Sequence, residues 1–103
     1  MIVTATQIRI RGITGLVRFF PRVRSIRNQL ASADGLLFMR FSGLRTLTGW
    51  ESREAMKAFR NSGPHLEAMK KLRTIGKAKS ITWETRTEPG WDVARKKLQE
   101  VKF

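Results

Sequence analysis

Polar and apolar residues alternate along several short stretches of the chain, a pattern that predicts half-buried β-strands. In the first stretch, residues 3–11, the alternation separates two sets of side chains that would point to opposite faces of a sheet. One set is Thr4, Thr6, Ile8 and Ile10, and the other is Val3, Ala5, Gln7 and Arg9. The same alternation predicts three further strands, over residues 36–41, 45–50 and 80–87.

Between these strands, apolar residues recur every three or four positions, which predicts amphipathic helices. The first helix is expected over residues 16–33, where Pro21 must either kink it or open its main part, because proline lacks an N–H donor. Ser52 is the expected N-cap of a second helix. After a Gly-Pro break, Pro64 suits the first position of a restarted helix, and Gly76 is expected to end it.

The predicted order is β-α-β-β-α-β, followed by a C-terminal helix over residues 91–101. This is the order of the ferredoxin-like split βαβ fold, in which two helices cover one face of a four-stranded antiparallel sheet. The other face also needs a cover, and a second copy of the same sheet is the most economical one. The pattern therefore predicts a single α+β domain over residues 1–103 that forms a homodimer, a dimeric α+β barrel.

The charge is the unusual part of the composition: 21 basic and 8 acidic residues give a formal net charge of +13. Residues 1–33 contain six arginines and no acidic residue. Such a charge attracts polyanions without specificity, so nucleic acid is an alternative partner, beside acidic lipid or an anionic ligand. A solvated basic surface is the simpler interpretation. The βαββαβ order is also that of the RRM, but the predicted third strand lacks the Gly-aromatic pattern that stacks bases.

Several classes of function find no support in the sequence. No apolar run approaches the roughly 18 residues of a membrane span, and the N-terminus lacks a signal-peptide core, so a cytoplasmic protein is expected. The absence of cysteine excludes disulfides, thiolate metal sites and cysteine nucleophiles. There is no Gly-rich phosphate loop, and a single histidine with scattered acids argues against a tetrahedral zinc site.

The stretch from Thr46 to Leu72, TLTGWESREAMKAFRNSGPHLEAMKKL, carries a more specific pattern. A strand ending in Trp50 leads into a capped amphipathic helix with Phe59, and Ser62-x-x-His65 follows. This pattern resembles the antibiotic-biosynthesis-monooxygenase-like proteins and their spheroidene-monooxygenase-like relatives. The resemblance implies a dimeric α+β barrel with a pocket between sheet and helices in each protomer. It also implies a cofactor-independent monooxygenase, or a binder of a small apolar or aromatic ligand.

The resemblance also suggests which residues line that pocket. Gln7 stands where the resemblance implies a polar pocket residue on the first strand, and catalytic roles are expected for Gln7 and His65. The haem-degrading branch of this fold has a tryptophan and a histidine on the second helix, where this chain has Phe59 and Met69. Both differences remove groups that haem breakdown requires. No cofactor is therefore expected, and haem is disfavoured.

His65 is the chain's only histidine, and its ordinary pKa lies near neutral pH, so it could act as a general base, an axial ligand or a proton shuttle. A histidine at a helix N-terminus that forms only local hydrogen bonds is the alternative. Arg27 falls within the apolar stripe of the first helix, where a guanidinium needs an acceptor such as a ligand carboxylate or Glu84. The alternative for Arg27 is that its side chain reaches out to solvent.

The expected ligand-binding residues are Arg27, Trp50, Phe59 and Met69. Trp50 and Trp83 would also suit a hydrophobic core or a dimer interface. A structural or regulatory dimer without any ligand is a further alternative, beside the basic nucleic-acid-binding domain.

Overall fold

Four strands and four helices make up the part of the chain that the structure describes. The computed structural model describes residues 1–61 and 63–103, apart from the side chains at positions 13, 16, 18–20, 22, 23, 64 and 74. Ser62 of the Ser62-x-x-His65 pattern lies outside the described residues. The strands are β1 (Ile2–Ile10), β2 (Leu36–Ser42), β3 (Arg45–Trp50) and β4 (Gly76–Glu84). The helices are α1 (Gly12–Ala31), α2 (Arg53–Arg60), α3 (Gly63–Ile75) and α4 (Trp91–Gln99).

The strands form one antiparallel sheet in the order β2-β3-β1-β4. β1 is central and pairs with β3 on one side and with β4 on the other. α1 connects β1 to β2, and α2 and α3 connect β3 to β4. This arrangement is the ferredoxin-like α+β fold, so the predicted fold class is confirmed.

Alternation along β1 assigns its side chains to two faces of the sheet. Helices α1, α2 and α3 cover one of them, here called the helical face. The β1 side chains of the helical face are Ile2, Thr4, Thr6, Ile8 and Ile10. On the opposite face, here called the α4 face, Val3, Ala5 and Leu47 are fully buried and pack against Ala94 and Leu98 of α4.

The cover on the α4 face differs from the prediction. The strand pattern predicts that a second copy of the chain covers this face, whereas α4 covers part of it within one protomer. The physical reason lies in the pairing of β1 and β4, where Val3 stands opposite Trp83 and Ala5 opposite Ile81. This end of the face is therefore apolar, and the short C-terminal helix gains burial by packing on it.

Strand β4 begins and ends earlier than predicted. It runs from Gly76 to Glu84, and Gly76, predicted to end a helix, is its first residue. Gly76 pairs with Ile10, and a Cβ at this position would collide with the carbonyl oxygen of Arg9. The glycine therefore permits a close approach of two strands rather than terminating α3.

The helix starts follow from local chemistry. Ser52 is the predicted N-cap of α2, and its Oγ accepts a hydrogen bond from the Ala55 N–H at 3.1 Å. α3 begins at Gly63, one residue before Pro64, and the φ of 57° at Gly63 is a left-handed value that favours glycine. α1 contains Pro21 in its interior, so the proline does not open this helix.

None of the described helices combines the length and apolar character needed to cross a membrane.

The packing of α4 generates a prediction for Leu98→Ala. Leu98 is 1% exposed, so its truncation should lower the free energy of unfolding by about 2–5 kcal/mol. Val93 on the same helix is 40% exposed, and Val93→Ala should change it by about 0.5 kcal/mol. Urea unfolding followed by tryptophan fluorescence measures both values. Equally small changes would contradict the burial of Leu98 between α4 and the sheet.

Candidate functional site

A cavity of about 200 Å³ lies between the helical face of the sheet and helices α1, α2 and α3. A concave space with mainly apolar walls and a few polar groups is the usual form of a small-molecule site. The apolar and aromatic residues around it are Ile8, Ile26, Leu30, Trp50, Met56, Phe59, Met69 and Ala78. The polar residues around it are Thr4, Thr6, Thr46, Thr48, Arg60, His65, Lys79, Ser80 and Thr82.

The floor of the cavity consists of two rows of hydroxyl groups that cross β3, β1 and β4. The first row is Thr48–Thr4–Thr82 and the second row is Thr46–Thr6–Ser80. This floor is not among the features predicted from the sequence. The available signal was a hydroxyl residue at every second position in three separate strands, which brings the hydroxyls to one face.

The two rows differ in how their hydroxyl groups are bonded. In the first row, the Thr4 and Thr82 hydroxyl oxygens are 2.9 Å apart, and Thr48 Oγ1 accepts a hydrogen bond from Trp50 Nε1 at 2.9 Å. Thr48 donates in turn to the Thr4 carbonyl oxygen at 3.5 Å. The hydroxyls of the second row form no hydrogen bond with any residue of ranges 1–61 and 63–103. The second row can therefore bond the polar groups of a ligand.

Three rings form a continuous series along one wall of the cavity. The ring centres of Trp50 and Phe59 are 5.3 Å apart, and those of Phe59 and His65 are 4.9 Å apart. Both separations lie within the range at which tilted aromatic rings attract each other. The series connects the end of β3 to the start of α3 and gives the cavity an aromatic side.

The imidazole of His65 has a defined tautomer. Its Nδ1 lies 3.1 Å from the Arg60 carbonyl oxygen, and because a carbonyl only accepts, Nδ1 must carry the proton. In the neutral ring, Nε2 then keeps its lone pair and can accept a proton or a hydrogen bond. This local bond matches the simpler interpretation of His65, yet it also prepares Nε2 to act as a base.

Burial lowers the pKa of His65 below its ordinary value of 6.5, because the charged ring loses hydration. The hydrogen bond to the Arg60 carbonyl acts in the opposite direction, and the positive charge of Arg60 lowers the pKa further. The ring is therefore neutral at pH 7, which is the protonation state that a general base requires.

Gln29 of α1 connects the two ends of the break between α2 and α3. Its Oε1 accepts a hydrogen bond from the His65 N–H at 2.8 Å, and its Nε2 donates to the Phe59 carbonyl oxygen at 3.3 Å. These bonds satisfy backbone groups that a helix start and a helix end leave without intrahelical partners. Gln29 therefore positions the backbone of two residues whose rings line the cavity.

Four of the sequence-predicted site residues surround this one cavity: Trp50, Phe59, His65 and Met69. They come from β3, α2 and α3. Trp50 is also 1% exposed and packs with Leu30 and Met56, so it serves the core and the cavity wall together. Trp83 instead packs in the cluster on the α4 face. The roles assigned to the four residues stay predictions.

Gln7 and Arg27 are not among the residues that line the cavity. Gln7 belongs to the α4 face, because strand alternation places it opposite to Thr6. Arg27 is exposed, and its guanidinium carbon lies 4.4 Å from the centre of the Phe41 ring. The inward side of α1 is formed by Ile26 and Leu30, so Arg27 lies beside the apolar stripe rather than within it.

A haem does not fit the residues present. Pockets for drug-sized ligands have volumes of roughly 300–1,000 Å³, the cavity has about 200 Å³, and a haem is larger than most such ligands. Among the described residues, no three histidine or acidic side chains come together as possible metal ligands.

Known proteins match the fold of this chain but not its sequence. No family model and no curated protein matches it. An antibiotic biosynthesis monooxygenase superposes with a TM-score of 0.72 and 10% identity, over 84% of this chain and 100% of that chain. A mutant of SnoaB, a cofactor-independent oxygenase from Streptomyces nogalater, gives 0.64 and 12%, over 84% of this chain and 94% of its own. A dimeric ferredoxin-like protein of unknown function from Jannaschia sp. gives 0.70 and 12%, over 82% of this chain and 98% of its own.

At sequence identities of 10–12%, these matches show a shared fold alone. The chain has the fold of antibiotic-biosynthesis-monooxygenase-like proteins. The resemblance seen in the sequence from Thr46 to Leu72 is confirmed at this level.

The buried position of His65 predicts a titration midpoint below 6.5 in the folded protein. The chain has one histidine, so NMR of its ring Hε1 follows this residue without ambiguity. In urea the midpoint should rise to about 6.5. Because the unfolded chain then binds the proton more tightly, the free energy of unfolding should fall as pH drops from about 6.5 towards the folded pKa. A folded midpoint at or above 6.5 would contradict the burial, and His65→Gln should abolish the pH dependence.

Proposed function

We propose that this chain is a cofactor-independent oxygenase that binds a small aromatic molecule in the cavity between sheet and helices. The observation that supports this most is that a neutral His65 and a row of unbonded hydroxyls line the same cavity. A solidly packed interface beside His65 would have excluded the hypothesis. The fold, shared with a cofactor-independent oxygenase, is compatible with it.

The volume of the cavity limits the size of the ligand. A cavity of roughly 150 Å³ lined by apolar residues holds benzene, so about 200 Å³ suits a ligand of one or two fused rings. Trp50 and Phe59 offer ring faces for stacking, and the hydroxyls of the second row offer hydrogen bonds to a polar edge. A phenol with one or two rings combines both features.

These residues support a base-assisted oxidation of such a phenol. Nε2 of His65 accepts the phenolic proton, and the hydroxyls of the second row donate to the phenolate oxygen. Dioxygen adds to the electron-rich ring carbon para to that oxygen, and loss of water leaves a carbonyl there. With 1-naphthol, one molecule of dioxygen gives 1,4-naphthoquinone and one molecule of water. One oxygen atom therefore enters the product and the other leaves in water.

The alternative functions find less support. A structural or regulatory dimer without a ligand needs neither the cavity nor the orientation of His65. Base stacking on the sheet, as in an RRM, needs an open face with exposed aromatic residues. Helices α1 to α3 cover the helical face, and α4 covers the aromatic part of the other.

We also propose that the protein is a homodimer. A ferredoxin-like protein with the same fold is dimeric, which supports this. β2 is an edge strand. Three large apolar side chains on β2 and on the turn after it are exposed to solvent: Leu37, Met39 and Leu44. A second copy that covers this edge would bury them and satisfy the unpaired side of the strand.

The proposed activity predicts oxygen uptake with 1-naphthol as the probe, and oxygen-18 from labelled dioxygen in the naphthoquinone. His65→Gln should lower kcat at least about 100-fold, because a general base contributes roughly 10²–10⁴, and should change KM little. Unchanged kcat in this variant would contradict the role of His65. Naphthoquinone without oxygen-18 would contradict an oxygenase reaction.

The hydroxyl floor predicts a selective effect of Thr46→Val, which removes a hydroxyl and nearly preserves volume. It should weaken binding of 1-naphthol about 3–10-fold, the value of one hydrogen bond, and leave naphthalene binding unchanged. Quenching of tryptophan fluorescence measures both affinities. Glu67→Gln, an exposed change on α3, is the matched control and should alter neither. An equal loss of affinity for both ligands would show that Thr46→Val acts through packing and not through a lost hydrogen bond.

The homodimer predicts a mass near twice 11.8 kDa by light scattering. Replacing Leu37 and Met39 together by lysine should shift the mass towards that of one chain, because four added charges per dimer would oppose the contact. Val17→Lys is the control, since Val17 is 66% exposed on α1, away from β2. A wild-type mass of one chain would contradict the dimer.

A further inference from the structure

The α4 face changes from apolar to basic beyond the C-terminal end of α4. In the first row of the basic part, Gln7 of β1 stands between Arg45 of β3 and Lys79 of β4. In the next row, Arg9 of β1 stands opposite Lys77 of β4. We call Arg45, Lys79, Arg9 and Lys77 the basic rows. All four side chains share one face because the pairing register and the strand alternation place them there.

The basic rows are not neutralised by acidic side chains. Two ion pairs of the described residues join Arg40 to Glu88 and Lys70 to Glu67, and neither includes the basic rows. Neighbouring strands are about 4.8 Å apart and alternate residues about 7 Å apart, so the four cations lie close together. Like charges placed directly opposite each other destabilise a sheet. Glu100 at the end of α4 forms no ion pair with them.

The C-terminal tail compensates two of these cations in part. The guanidinium carbon of Arg9 and the Nζ of Lys79 lie 4.2 and 4.9 Å from the Phe103 ring centre. Lys79 also donates to the Val101 carbonyl oxygen at 3.1 Å. Arg45 differs, because its Nε is buried and has no hydrogen-bond partner among the described residues. Leaving such a donor unpaired costs about 1–3 kcal/mol, so Arg45 is the least compensated residue of the basic rows.

We propose that the basic rows bind the phosphate groups of a single-stranded nucleic acid. Arginine and lysine are the side chains that bind phosphate oxygens most strongly. The rows cover roughly 10 by 7 Å, which gives room for successive phosphates of one strand. The four side chains lie on the face opposite to the cavity, so this surface does not depend on the proposed oxygenase.

The charge distribution favours a polyanion over a small phosphate-bearing molecule. The basic rows supply four of the cations in a chain with a net charge of +13, and residues 1–33 add five arginines besides Arg9 and no acidic residue. A small anion would use only the rows, whereas a nucleic acid strand also gains from the wider positive field. Phe103 adds an aromatic ring beside the rows, a feature common in single-strand sites.

The test measures the anisotropy of a fluorescein-labelled oligouridine RNA of about a dozen nucleotides at a series of KCl concentrations. Four phosphate contacts should give a slope of about −2.8 for the logarithm of the association constant against the logarithm of salt concentration. The double variant Arg9→Gln/Lys77→Gln removes two contacts from exposed positions. The slope should become shallower by about 1.4, and affinity near 0.1 M salt should fall on the order of tenfold.

The matched control is Arg53→Gln/Lys57→Gln, which removes the same charge from exposed positions on α2. Its slope and affinity should stay close to those of the wild type. Equal losses in both double variants would show unspecific attraction and overturn the proposal. Displacement of the RNA by inorganic pyrophosphate at the same phosphate concentration would assign the rows to a small anion and also overturn it. Circular dichroism of each variant verifies that the fold is retained.

Discussion

The central position of β1 is the constraint on which both surfaces of the protein depend. Its backbone pairs with β3 and with β4, so no side chain of β1 can change face without breaking two ladders. A shift of one residue would bring Thr4 and Thr6 under α4 and remove the cavity floor. Val3 and Ala5 are fully buried beneath α4 and stabilise the observed register. The packing of α4 therefore holds the hydroxyl rows in place from the other side of the sheet.

The helical side depends on the break between α2 and α3. In a continuous helix, the His65 N–H would bond to the carbonyl oxygen four residues earlier, at Asn61. At the break it bonds to Gln29 of α1 instead, and the Phe59 carbonyl bonds to the same side chain. One amide thus joins three helices at the point where two rings enter the cavity wall. The local cost of interrupting a helix is offset by tertiary hydrogen bonds that orient the candidate base.

Elements whose burial gives a periodic pattern of apolar residues are predicted correctly from the sequence. The order of elements, the bounds of β3 and the Ser52 cap follow from spacing and local chemistry, which act within a few residues. The predicted start of β4 is wrong because the first residues of the strand alternate lysines with small residues. The charged side chains hide the alternation of polar and apolar residues that indicates a strand. Gln7 shows a different limit. Alternation predicted that Gln7 and Thr6 lie on opposite faces, but only long-range packing of the helices decides which face holds a cavity.

Positive charge near the cavity acts on both partners of the proposed proton transfer. Arg60 lines the cavity, and its positive charge lowers the pKa of His65. The same charge would stabilise a phenolate and would therefore lower the pKa of a bound phenol as well. The two effects leave the difference between donor and acceptor pKa nearly unchanged, so the charge does little for the transfer itself. Positive charge contributes after the proton transfer, because a buried phenolate is costly without a nearby cation and must persist until dioxygen reacts.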